Sequence, residues 1–156
     1  MRKRIRQTTA RFLAEQGAAE RTVVWADLQT AGRGRLERKW TSGPGGLYFS
    51  LLLQPRFLSG RLPALSLMTA QAVARALHGH AGVKTAVKPP NDVLAVQGGR
   101  HGKLCGILVE ASGNSRRLDW LVIGFGVNVN NDVSRIPGAA GLKALTGKTW
   151  NPERIL

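Results

Sequence analysis

Nine consecutive residues constrain this chain more than any other stretch: Gly32-Arg33-Gly34-Arg35-Leu36-Glu37-Arg38-Lys39-Trp40. Glycines alternate with arginines, and further basic residues and a tryptophan follow. Glycine permits backbone angles closed to other residues and lets a ligand approach the main chain. Successive N–H groups in such a turn can form a concave anion site. Arginine adds forked donors that match carboxylates and phosphates two bonds at a time. The segment therefore suits a negatively charged small molecule or a phosphate chain. It equally fits a solvated basic hairpin with RNA as its partner, and by itself it does not separate the two.

The chain has 156 residues, which bounds it to one domain, or one domain with a small appendage. Lys and Arg number 23 against 9 Asp and Glu, a net charge of +14 that attracts polyanions. Basic residues are densest at 2–6 and 33–39. The excess of arginine over lysine also fits the compositional bias of a GC-rich genome. Cys105 is the single cysteine, so no intrachain disulfide can form and a reducing compartment is expected. The longest apolar run, 47–53, is too short to span a bilayer. No apolar segment follows the basic start 1–6, so secretion is not expected and a cytoplasmic location is.

Patterning predicts a helix from Thr8 or Thr9 to about Glu15, and a β-branched strand over 22–26 that runs into the glycine–arginine segment. Leu47–Leu53 reads as a buried strand. Pro63 opens a helix to about Leu77, with Leu65, Met68, Ala72 and Ala76 at spacings of three and four and with Gly79 and Gly82 ending it. Strands are predicted at 83–87 and 92–96 around a Pro-Pro-Asn-Asp turn, and at 103–110 and 118–125, with a hairpin tip at 97–100. From Asn130 the chain reads as loop, with a helix-like end at 152–156. These elements indicate an α+β domain, a mixed β-sheet with helices packed on it. Asn151-Pro152-Glu153 resembles the capped start of a helix, so a domain truncated at its C-terminus is expected.

Three further segments carry polar groups at strand boundaries. Lys88-Pro89-Pro90-Asn91-Asp92 offers hard oxygen ligands suited to Mg²⁺, or an ordinary Asx turn. Lys103-Leu104-Cys105-Gly106-Ile107-Leu108-Val109-Glu110 places a lysine at the head of an apolar strand with a glycine three residues on. A lysine there either holds a charge in place from a rigid element or is a solvated strand end. Gly124-Phe125-Gly126-Val127-Asn128-Val129-Asn130-Asn131 allows close backbone approach at its two glycines and adds a bidentate amide at Asn128, or marks a bulge. His78 and His80 lie near a helix C-terminus and read as surface residues, because no Cys or acidic cluster accompanies them. Cys105 reads as a small buried hydrophobe. The residues present no Ser-His-Asp arrangement.

In this order and spacing, the four segments resemble the catalytic domain of biotin–protein ligases, with the match running from about Gln7 to Asn131 and more weakly to Leu145. Gly32–Trp40 matches the family's Gly-Arg-Gly-Arg-x-x-Arg-x-Trp loop. Lys88–Asp92 matches Lys-Trp-Pro-Asn-Asp, Lys103–Glu110 matches Lys-x-x-Gly-Ile-Leu-x-Glu, and Gly124–Asn128 matches Gly-x-Gly-x-Asn. The resemblance implies the biotin–lipoate ligase catalytic fold, similar to class II aminoacyl-tRNA synthetases, as one domain over 1–156. The family also carries a small C-terminal β-barrel, and its repressor members an N-terminal DNA-binding domain; neither is expected within 1–156, which is one departure from the family's pattern. The implied activity uses ATP and Mg²⁺ to convert biotin to biotinyl-5′-AMP, then transfers biotin to a lysine of a biotin carboxyl carrier domain of acetyl-CoA carboxylase. Specific DNA binding and membrane association are not expected, and a homodimer is admitted.

The resemblance further implies roles. Lys103, Arg35 and Arg38 would be catalytic. Gln7, Thr8, Thr9, Gln29, Gly32, Arg33, Gly34, Arg35, Trp40, Tyr48, Lys103 and Gly106 would surround biotin. Arg35, Arg38, Lys88, Gly124, Gly126 and Asn128 would face ATP or the adenylate, and Asn91 and Asp92 would manage Mg²⁺. Two further departures stand out: the family's Ser-Thr-Asn falls on Ile5-Arg6-Gln7, and its second-motif tryptophan is Pro89. The alternatives are a lipoate or octanoate transferase of the same superfold, whose arginine–glycine loop differs, and a basic nucleic-acid-binding module. The last draws on the charge, but the chain has only nine aromatics to stack bases and no nucleic-acid reading motif.

Overall fold

A computed structural model describes residues 8–36, 38–55, 59–114 and 116–155. The elements run α1 (Thr8–Glu15), β1 (Val23–Ala26), β2 (Gly32–Arg33), β3 (Lys39–Trp40), β4 (Leu47–Leu53), α2 (Leu62–Ala81), β5 (Thr85–Lys88), β6 (Asp92–Gln97), β7 (Arg100–Gly113), β8 (Leu118–Val127) and α3 (Leu142–Thr146). Short 3₁₀ turns occupy Ser59–Arg61 and Pro152–Arg154.

Six strands form one sheet in the order β1-β4-β8-β7-β6-β5, while β2 and β3 pair separately. The sheet expected to be mixed is antiparallel at every pairing between its strands. The sole parallel contact among the described residues is an isolated bridge between Lys103 and Ala139. The physical reason is connection length. Between β6 and β7 only Gly98 and Gly99 intervene, both at positive φ (55° and 76°), which suits a tight hairpin and reverses the chain.

Successive strand residues face opposite sides, so each strand divides its apolar residues between two layers. One side packs on α2, where Ala70, Val73, Ala74 and Leu77 meet Val93, Cys105, Ile107 and Ile123. The other side meets α1 through Ala10, Ala14, Leu52 and Val122. Each large aliphatic side chain taken fully out of water here contributes about 1.5–3 kcal/mol before entropy is set against it. Helix α2 runs through Gly79 and ends only at Gly82, whose left-handed φ of 66° lets its N–H reach the His78 carbonyl. Gly79 therefore stays helical, at about 1 kcal/mol relative to alanine. His78 and His80 are exposed, as read from the sequence, and Cys105 is fully buried. No helix among the described residues is long and apolar enough to cross a membrane.

Candidate functional site

One row of residues crosses the whole sheet on the α1 side: Ala26, Tyr48, Gly126, Gly106, Asp92 and Lys88 stand opposite one another on six successive strands. The two glycines in its middle leave a hollow, and the Trp40 indole lies in it. A Cβ built on Gly126 would sit 2.6 Å from Trp40 Cε2, and one on Gly106 would sit 2.9 Å from Cζ3. Tyr48, next in the row, turns its hydroxyl away to donate to the Gly43 carbonyl at 2.9 Å. It is fully buried, and burial pushes its pKa up to about 12.

Lys103 enters this side of the sheet because of a bulge. The β6–β7 register shifts between Val93 and Leu94, so Val93 pairs with Cys105 while Leu94 pairs with Lys103. Leu104 is the extra residue, and it and Cys105 are both fully buried. In a regular strand Lys103 and Gly106, three apart, would face opposite sides. Here Lys103 Cε lies 3.3 Å from the Gly106 Cβ position, so the ammonium reaches the cleft. Its Nζ is 2.7 Å from Asp92 Oδ1, an ion pair without hydrogen-bond alignment, and 5.4 Å from the Trp40 ring centroid. Burial pushes the Cys105 thiol up to about 12, opposed by the nearby Lys103 charge.

The glycine–arginine segment is a hairpin, as the bland alternative had it, and it also lines the cleft. Gly32 pairs with Trp40 and Arg33 with Lys39, and the Gly34 N–H donates to the Arg38 carbonyl at 2.6 Å. Leu36 at the tip has φ 53°. Arg33 reaches from the hairpin to Glu110 of β7, 3.6 Å away. A Cβ at Gly32 would meet Gln29 Oε1 at 2.9 Å and collide with the Trp40 carbonyl, so only glycine fits. Ser42 donates to Gln29 Oε1 at 2.7 Å.

The cleft has a volume of about 240 Å³. Its walls bring together, from the expected residues, Gln29, Arg33, Gly34, Arg35, Arg38, Trp40, Lys88, Asn91, Asp92, Lys103, Gly106, Gly124 and Gly126. A second cavity of about 480 Å³ shares Trp40, Lys88, Asp92 and Lys103 with it and adds Asn128, His101 and residues 136–139. The expected residues are not all presented to the cavities in the same way. Tyr48 and Gly32 stand behind the lining. Gly106 and Gly126 pack against Trp40 in the first instance. Thr9 is half-buried on α1 away from both cavities, the Thr8 side chain and Gln7 lie outside the described residues, and Pro89 lines the cleft where the family motif has tryptophan. Asn128 has both amide ends engaged inside the protein: Nδ2 donates to the Lys103 carbonyl at 3.2 Å and Oδ1 accepts from Asn131 at 3.0 Å. Ser42 and the 136–140 segment went unrecognised in the sequence, and Asn131, the last residue of the fourth segment, had no role assigned to it.

Asn91 and Asp92 were the candidate Mg²⁺ ligands. Asn91 Nδ2 donates to the Ile107 carbonyl at 2.8 Å, which fastens the turn to β7. Asp92 Oδ1 is taken up by Lys103. No group of three His, Cys, Asp or Glu side chains converges among the described residues. One carboxylate suits a Mg²⁺ held chiefly by nucleotide phosphates and does not make an all-protein cage.

The model of the biotin/lipoate A/B protein ligase family matches residues 2–128. The chain belongs to that family. Among relatives, it is 42% identical over 132 residues to the bifunctional ligase/repressor BirA of Bacillus subtilis, covering 84% of this chain and 39% of that protein. It is 36% identical over 143 residues to the biotin–[acetyl-CoA-carboxylase] ligase of Paracoccus denitrificans, covering 85% and 57%. Its fold matches the biotin protein ligase of Aquifex aeolicus in complex with biotin and ATP at a TM-score of 0.78 and 38% identity, covering 94% of this chain and 60% of that one. A Leishmania major biotin protein ligase with biotinyl-5-AMP matches at 0.73 and 25%, covering 95% and 64%. The chain thus spans well under two-thirds of the length of the curated biotin/lipoate ligase relatives it matches.

Proposed function

We propose that this chain activates biotin with ATP and passes it to a lysine of a biotin carboxyl carrier domain. The observation that carries the reading is Lys103, an ammonium set at the junction of the two cavities and faced by the cationic hairpin. In the first step a biotin carboxylate oxygen bonds to the α-phosphorus of ATP and pyrophosphate leaves. Two anions must approach, so fixed cations and oriented N–H groups have to offset their repulsion. Lys103 would lie between carboxylate and α-phosphate. Arg35 and Arg38, which also line the cleft, would offset the charge of the departing pyrophosphate. In the second step the carrier lysine amine attacks the acyl carbon, loses a proton, and AMP leaves.

The cleft's other residues offer groups that biotin could use. Trp40 gives an apolar wall. Gln29 Oε1 is already occupied by Ser42, which leaves Nε2 to donate to an acceptor such as the ureido carbonyl. Mg²⁺, arriving with the nucleotide, would supply further neutralisation of phosphate charge beside Asp92. No enzyme nucleophile is required, in keeping with the absence of a Ser-His-Asp arrangement in the sequence.

The test is biotin-dependent exchange of pyrophosphate into ATP by the purified chain with Mg²⁺. Exchange with biotin and not with lipoate or octanoate is the expected result. Exchange only with the latter acids moves the chain to the lipoate branch of the family. Absence of exchange with all three, together with no biotin binding by calorimetry, refutes the proposal.

A further inference from the structure

We propose that Asn131 is a positioning residue for Lys103, acting through the Asn128 amide. The inference rests on the role given to Lys103 above and concerns what holds that lysine in place.

Lys103 sits where regular pairing within the sheet is interrupted on both flanks. On one flank the β6 ladder is broken by the bulge at Leu104. On the other, β8 pairing stops at Cys105 opposite Val127, two residues short of Lys103. Beyond that point the Asn128 side chain takes part, its Nδ2 donating to the Lys103 carbonyl at 3.2 Å. The Asn128 backbone N–H donates to the Leu104 carbonyl at 2.9 Å. On its remaining side, Lys103 N–H donates to Gly138 at 2.7 Å and its carbonyl also accepts from Ala140 at 2.9 Å.

An asparagine amide can present either end, and only one end serves here. The Lys103 carbonyl can only accept, so Asn128 must turn its NH₂ that way and its oxygen the other way. That oxygen meets Asn131 Nδ2 at 3.0 Å. Asn131 is fixed in turn, because its own Oδ1 accepts from the Val129 N–H at 3.0 Å. Both asparagines are buried, at 3% and 6% exposure, so water does not readily replace a lost partner. The chain Val129 N–H, Asn131, Asn128, Lys103 carbonyl is therefore directional. Asn131 decides which way Asn128 faces, and Asn128 holds the backbone from which the ammonium projects.

The deciding variant is Asn131→Asp, which keeps the shape and the acceptor for Val129 but sets an acceptor against Asn128 Oδ1. Asn131→Leu, which carries no charge, is the second. Two readouts are needed on protein whose thermal transition shows it folded: kcat and KM in biotin-dependent pyrophosphate exchange, and the rate of Lys103 acetylation by an amine-reactive ester, read by mass spectrometry against Lys143 and Lys148. A displacement on the order of 1 Å at a reacting group can cost about a hundredfold in rate. The expected result is a fall in kcat of about that size with KM changed less than threefold, and faster acetylation of Lys103 alone as it leaves Asp92. If both variants fold with unchanged kcat and unchanged Lys103 acetylation, the proposal is wrong. If neither folds, the asparagines serve stability and the proposal is likewise overturned. If the parent chain shows no exchange but the variants expose Lys103 to acetylation, the positioning role stands and the ligase reading falls.

Discussion

Gly106 and Gly126 face each other across β7 and β8, and one tryptophan ring, that of Trp40, covers both. This pair converts a flat sheet into a socket. Hairpin and sheet meet there through an indole against two bare Cα positions, and any Cβ would have to displace that ring.

Gly126→Ala is accordingly expected to lower stability by about 1–3 kcal/mol, the usual cost of an added methyl in a filled space. It should also loosen Trp40, with weaker biotin binding. A melting curve and a calorimetric titration check both. An alanine variant with the parent's melting point and biotin affinity would mean that Trp40 does not depend on the socket.

Lys103→Ala should abolish pyrophosphate exchange and leave the fold within about 1 kcal/mol, because the ion pair with Asp92 is partly solvated. Circular dichroism melting separates the two effects. Exchange at the parent rate would remove Lys103 from the chemistry.

Tyr48 is the single tyrosine, so absorbance near 295 nm titrates it alone. Its folded pKa is raised from 10.0 to about 12 by burial, outweighing the hydrogen bond to Gly43. The protonated phenol is the form the fold prefers. Its contribution to stability is complete below pH 10 and is lost as pH rises toward 12. A tyrosinate signal that rises with a midpoint near 10 while the chain is still folded would contradict its burial.

Cys105 should resist iodoacetamide at pH 8 in native buffer and react in urea, since its thiol is fully buried and held at about 12. Mass spectrometry after a timed quench reads this directly. Ready native alkylation would show that β7 opens locally.

The sequence exposed the site more fully than the sheet around it. The hairpin residues, Lys88–Asp92, Lys103 and the two glycine motifs could be named because each couples an unusual residue type to a fixed spacing, and they do converge on one cleft. Leu47–Leu53 was legible as a strand because its apolar residues are continuous. The antiparallel order was not, since strand pairing depends on contacts between distant segments. Tyr48 shares the face of the sheet that carries the site, but its hydroxyl is bonded to Gly43 and it lines neither cavity. Asn131 was given no role because its importance lies in a partner's orientation, and pattern alone does not display that. Helix α3 escaped because five residues are too few to show a period.

The bulge at Leu104 makes the chemistry of this chain a matter of counting. Strand β7 presents Lys103 and Gly106 to the same side only because one residue too many lies between two ladder contacts. Were the same residues paired regularly, with Leu104 taking its own place in the ladder, the strand would still be apolar and well suited to the core. The ammonium would then turn toward α2, away from the hairpin cations. A sheet of the same hydrophobicity and the same motif letters would then have no cation at the junction of its cavities. What distinguishes an active from an inert version of this scaffold, in that sense, is the parity of a strand.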